Sequence, residues 1–143
     1  MKTHATNYVN TFIEVAEDTK ATRGTAPVSK GDKKTIAERE YELISRHPYR
    51  FTSDDVLFQV YADRNAIALA DYKAERARFF SKGRPCFRAS PLTKAYGFGL
   101  HANNKGKIAL IGMETKAYQD FLKDDQVQKV KAMRNSRKNK LWR

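Results

Sequence analysis

The stretch Tyr96-Gly97-Phe98-Gly99-Leu100-His101-Ala102-Asn103-Asn104-Lys105-Gly106-Lys107-Ile108-Ala109-Leu110-Ile111-Gly112 decides the fold. Two β-prone runs, 96–102 and 107–112, flank a short polar segment at 103–106. Asn and Gly tolerate positive φ, so the whole reads as a β-hairpin. Alternation along the first run puts Gly97, Gly99 and His101 on one face and Phe98 and Leu100 on the other. Residues 97–102 also match the G-x-G-x-x-A pattern of dinucleotide binding. That pattern must follow a strand and open a helix, and here it runs into a turn and a second strand, so the context argues against it.

Downstream of the hairpin, 115–123 predicts a helix with Ala117, Tyr118, Phe121 and Leu122 on one face. Residues 127–133 fit a strand or a helix equally, and 135–143 forms a basic tail expected to fray. Upstream, Ser90-Pro91-Leu92-Thr93 predicts a turn and 86–89 a short strand. Residues 69–80 predict a helix carrying Leu69, Tyr72, Phe79 and Phe80, closed by Gly83 and Pro85. A further helix opens at Thr52, which can cap it, with Asp54 and Asp55 at the positive end of its dipole. A strand over Val56 to Tyr61 is the alternative by propensity.

Thr35 and Glu38 have capping-box spacing, and Ile36, Ala37, Tyr41 and Ile44 continue an apolar stripe that Pro48 ends. Residues 17–34 are polar, longer than a usual connection, and expected to be mobile. Residues 8–16 carry apolar side chains of both parities and read as a strand buried on both faces. The expected fold is α+β: three N-terminal helices packed on a small, mostly antiparallel sheet containing the hairpin 96–112, with one further helix after it. The edge strand is expected to be the first or the last. A single domain spans 1–134, followed by the tail.

The bulk numbers fit that picture. The chain has 143 residues, 41% hydrophobic and 31% charged, enough for one core without a disulfide or metal. The one cysteine, Cys86, has no partner and suits a reducing compartment. The sequence shows no signal peptide and no apolar run long enough to span a bilayer, so a cytoplasmic location away from membranes is expected. The formal net charge is +12. Its cations cluster: no acid falls between Glu75 and Glu114 or after Asp125, and those windows hold 15 of the 28 Lys and Arg residues. Such a field concentrates anions, nucleic acid among them.

Five places merit chemical attention. Gly97 and Gly99 leave a bare trough ending at His101, open either to a ligand or to a ring from the protein's own interior. Arg84 and Arg88 flank Cys86: basic neighbours make a thiol more nucleophilic, and guanidinium groups grip phosphate or carboxylate. The alternative for these arginines is a pair with Asp54, Asp55 or Asp71. A Cys86–His101 catalytic pair requires their strands to be neighbours. Asp54-Asp55 and Asp124-Asp125 are better read as helix-end residues than as paired catalytic acids. The tail, with Lys129, Lys131, Arg134, Arg137, Lys138, Lys140, Arg143 and Trp142, offers cations and an indole to a nucleic acid. His4, His47, His101 and Cys86 lack metal-ligand spacing, so neither metal nor cofactor is expected.

Several segments together resemble a family. They are Asn10-Thr11-Phe12-Ile13-Glu14-Val15-Ala16, Ser53-Asp54-Asp55-Val56-Leu57-Phe58, Arg84-Pro85-Cys86 with Ser90-Pro91-Leu92, Tyr96-Gly97-Phe98-Gly99-Leu100-His101, and Lys131-Ala132-Met133-Arg134. In this order they are similar to a family of small bacterial proteins known as a domain of unknown function. The resemblance implies a bacterial, single-domain, cytoplasmic protein and brings no activity or catalytic residue with it. The functional expectation is therefore a binding module for an anionic ligand. Arg84, Arg88, Lys94 and the tail supply charge, and Tyr96, Gly97, Gly99 and His101 shape the contact. The alternatives are a small enzyme with Cys86 and His101 in a pocket, and a protein that binds a partner along a strand edge.

Overall fold

Four helices begin at a hydroxyl side chain that takes up a free backbone amide. Thr35 Oγ1 accepts from the Glu38 amide at the start of α1 (Ile36–Arg46). Thr52 does the same for Asp55 at α2 (Ser53–Arg64), and the Asp55 carboxylate returns a bond to the Thr52 amide, a complete capping box. At α1 the box is only half made, because Glu38 turns to the Ser29 hydroxyl. The helix α3 (Tyr72–Phe79) has no side-chain cap and is entered through a tight 3₁₀ turn at Leu69–Asp71. Ser90 caps the short α4 (Pro91–Lys94), where a plain turn is predicted, and Thr115 caps α5 (Lys116–Lys123).

The computed structural model describes residues 3–29 and 31–137. The fold is α+β, with these helices around a mixed sheet of β1 (Thr11–Glu14), β2 (Phe98–Ala102), β3 (Ile108–Gly112) and β4 (Gln128–Lys131) in the order β3-β2-β1-β4. Strands β2 and β3 form the predicted antiparallel hairpin, with Leu100 opposite Leu110. Strand β1 runs antiparallel to β2 and parallel to β4. The sheet is therefore mixed, and its first strand is interior; the edges are β3 and β4. The chain also begins with β1, ahead of the helices, so the helices are not its first layer.

Strand β1 is shorter than predicted for local reasons. Asn10, at φ 47°, leaves the ladder before it. After it, the Val15 amide turns to the Tyr118 hydroxyl oxygen and the Ala16 amide to the Thr93 carbonyl. Within it Thr11, Phe12 and Ile13 are all buried, as a strand covered on both faces requires. The hairpin turn uses Asn103 through its side chain: Oδ1 accepts the amides of Lys105 and Lys107, while Gly106 supplies the positive φ of 76°.

The two faces of the sheet differ. On one, Ile13, Leu100, Ala102 and Ile108 pack against Ile44 of α1 and Val56 and Val60 of α2. On the other, Phe12 meets Tyr118 and Phe121 of α5. Phe58 and Ala62, on the opposite side of α2, build a second core with Phe79 and Phe80. Helix α2 is thus buried on two sides, each fully buried Phe contributing about 1.5–3 kcal/mol.

The segment 17–29 is tied down where mobility was expected. The Gly24 amide donates to Glu114 at 2.9 Å, the Thr25 amide donates to the Tyr96 carbonyl at 2.8 Å, and Pro27 is buried. Asn135 and Ser136, placed in the tail by sequence, donate their amides to Asp18. Among the described residues no helix is long and apolar enough to cross a membrane.

Candidate functional site

Residues 84–91 form no strand. The chain coils into a 3₁₀ turn at Phe87–Ala89 and pushes Phe87 fully into the core. This turn stands off from α1, α2 and α3 and borders a half-open cavity of about 330 Å³. Its wall is largely apolar, with Ile36, Leu57, Val60, Phe79 and Pro85. Glu40, Tyr61, Arg64, Arg84, Cys86 and Ser90 supply its polar groups.

Glu40 is the unusual member, since its residue is only 3% exposed. Its Oε1 accepts a 2.8 Å bond from the Ser90 hydroxyl, whose oxygen in turn accepts the Leu92 amide at 3.1 Å. Burial pushes the Glu40 carboxyl up to about 7, and the Ser90 bond offsets this only in part. Arg84 lies with its guanidinium carbon 4.0 Å from the Phe79 ring centroid and spends Nε on the Phe79 carbonyl at 2.8 Å. Its two terminal nitrogens have no acceptor among the described residues. Cys86 Sγ is 3.4 Å from the Tyr8 hydroxyl. The Tyr8 phenol is raised by burial first and then by its bond to Cys86, against the charge of Arg88.

The remaining sequence candidates lie elsewhere. Arg88 closes the outer edge of the sheet: its Nε donates to the Lys131 carbonyl at 2.6 Å, and its own carbonyl accepts the Met133 amide at 2.8 Å. Lys94 gives its carbonyl to the Asn135 side chain. Tyr96 packs against the main core. Gly97, at φ 82°, stands outside β2, and the Arg23 carbonyl occupies the place of a Cβ there. The trough at Gly99 is filled: a Cβ there falls 2.5 Å from Phe12 and 2.8 Å from Tyr118. His101 stacks on Phe121, centroids 4.1 Å apart, and its Nδ1 is 2.8 Å from the Tyr49 hydroxyl. Burial lowers its pKa, against the pull of Asp124.

His101 faces α5, while Cys86 lies on the α1–α2 side. The sheet separates them, and the Cys86–His101 pair is not formed. Nor do Arg84 and Arg88 pair with Asp54, Asp55 or Asp71. Asp54 accepts from the Thr6 amide and hydroxyl and pins the N-terminal segment, and Asp55 pairs with Arg76 at 2.9 Å. A second hollow, of about 410 Å³, is lined by Phe51, Phe58, Tyr72, Lys73 and this Asp55–Arg76 pair. Among the described residues no group of three or more His, Cys, Asp or Glu side chains could hold a metal. Lys138, Lys140, Trp142 and Arg143 lie outside the described residues.

A family model matches residues 3–138. The chain belongs to DUF6157, a family of unknown function. No curated protein and no solved structure matches it. For this DUF6157 chain the argument for a site therefore rests on its own geometry. The structure joins Arg84, Cys86 and Ser90 of the 84–91 segment to two residues with no site role in the sequence analysis, Glu40 and Arg64. Glu40 left a signal, because it stands three residues after Ala37 and four before Ile44, the other buried positions of α1.

Proposed function

We propose that the chain binds a small amphipathic anion in the cavity between α1, α2, α3 and residues 84–91. The observation that carries this is Arg84: a guanidinium fixed over Phe79 and bonded through Nε, with both terminal nitrogens unclaimed beside an apolar wall. That pre-orients a fork for a carboxylate or phosphate. The cavity volume lies at the small end of the roughly 300–1,000 Å³ range of small-molecule sites. The net charge of +12 raises the local concentration of anions. Nucleic acid suits the surface less well, because Lys34, Arg46, Arg76 and Arg134 are engaged with carboxylates. The lone thiol of Cys86 suits a reducing, cytoplasmic setting.

Calorimetric titration with phenylbutyrate, alkyl phosphates and the neutral amide of phenylbutyrate tests the reading. The anions are expected to bind, the amide to bind about tenfold more weakly, and Arg84→Met to lose about tenfold for the anions alone. Equal binding of acid and amide, or undiminished binding by Arg84→Met, refutes it.

A further inference from the structure

Resting on that reading, we infer that Glu40 is a ligand-binding residue acting as a neutral acid, donating its proton to an uncharged oxygen on the inner end of a ligand whose anionic end meets Arg84. The ligand class is then an amphipathic acid with a second, uncharged acceptor: a keto acid or an N-acyl amino acid.

The hydrogen-bond directions lead there. Ser90 Oγ donates to Glu40 Oε1 and accepts from the Leu92 amide. When Glu40 is neutral, its proton is therefore on Oε2. Oε2 has no partner among the described residues, and it is not one of the sealed polar atoms of the interior. Glu40 lines the cavity. A buried O–H requires an acceptor. The other charged and titratable groups on that wall are Tyr61 and Arg64 from α2 and Arg84 and Cys86 from the 84–91 segment. Both arginines are donors only, and no second carboxylate lines the cavity. Neither guanidinium is within ion-pair distance of Glu40, so no charge in the wall compensates an ionised carboxylate there. An acceptor oxygen on a ligand would take that bond in place of water.

The test compares benzoylpropionate, which has a ketone beside its ring, with phenylbutyrate, which has a methylene there. Titrations at about pH 5.5 and about pH 8.5 leave both probes' carboxylates ionised, so any pH effect belongs to the protein. At the lower pH the ketone is expected to bind about tenfold tighter than its partner, and at the higher pH that advantage disappears. Glu40→Gln, whose amide donates at either pH, keeps the ketone's advantage at both. Equal binding of the two probes at the lower pH, with Arg84→Met still weakening both, overturns this inference and leaves the anion site standing. So does a pH effect that persists in Glu40→Gln. If neither probe binds and no amide of the cavity wall shifts in NMR spectra, the anion site itself fails and the inference with it.

Discussion

At the scale of single residues, Glu40 sets what the cavity offers a ligand against what the fold would choose. A carboxyl that ionises near 4.5 when unfolded is held protonated to about 7 when folded. Between those values the folded chain binds the more protons, so stability falls as pH rises through that window and stays reduced above it. A shift of that size amounts to roughly 3 kcal/mol at most. Glu40→Gln removes the ionisation and keeps the shape. In urea unfolding the variant is expected to match the wild type below about pH 4 and to exceed it by roughly 1–3 kcal/mol near pH 8. Parallel pH profiles for the two proteins would show that Glu40 ionises freely in the fold. The residue was legible in principle, since a Glu on the apolar stripe of α1 is out of place by period alone. Its partner Ser90 was not: fifty positions of sequence separate them, and only the coil at 84–91 brings the hydroxyl to the carboxylate. Gly99 shows the reverse case. Its missing side chain was read correctly as a space, but sequence does not tell which ring enters it.

At the scale of elements, capping chemistry carried furthest. Thr35 and Thr52, the two caps read from sequence, each start a helix, because an uncapped amide must find an oxygen within a turn. Pairing between distant segments carried least. Nothing local in 127–133 reveals that β4 lies parallel to β1, and nothing in 86–89 reveals that the chain coils there instead of pairing. The link between 17–29 and the C-terminal residues was equally hidden. Asp18 accepts the amides of Asn135 and Ser136 at 2.9 and 3.1 Å, and Glu17 pairs with Arg134 at 2.6 Å. The Asn135 amide first, then those of Ser136 and the Arg134 charge, hold Asp18 down to about 2. A depressed carboxylate contributes above its unfolded value of 3.8 and is lost as pH falls through about 2. Asp18→Ala is therefore expected to speed amide exchange at Asn135 and Ser136 about fivefold or more at neutral pH, while Val130 in β4 keeps its protection. Unchanged exchange at both would mean that the latch does not hold the segment.

At the scale of the molecule, the C-terminal residues divide into a part that belongs to the sheet and a part beyond it, and the division falls far from where charge alone suggests. The acid-free stretch begins after Asp125, which makes 126–143 look like one basic appendage. Yet β4 occupies Gln128–Lys131, Val127 and Ala132 are buried on either side of it, and Val130 packs on the main core. Ending the chain at Asp125 strips the sheet of an edge and exposes the outer ladder of β1, a strand otherwise buried on both faces. That variant is expected to lose cooperative unfolding. A chain ending at Arg137 keeps every described contact and drops only Lys138, Lys140 and Arg143 among the cations. It should unfold as the full chain does and bind phenylbutyrate with the same affinity. It also separates the two kinds of anion. Contacts to a polyanion release counterions and weaken steeply with salt, whereas a guanidinium–carboxylate contact out of solvent responds far less. Anisotropy with a labelled oligonucleotide is expected to show binding by the full chain that fades towards physiological salt, while acid binding persists in both chains. Oligonucleotide binding that survives physiological salt and is lost with residues 138–143 would instead place the function in the tail.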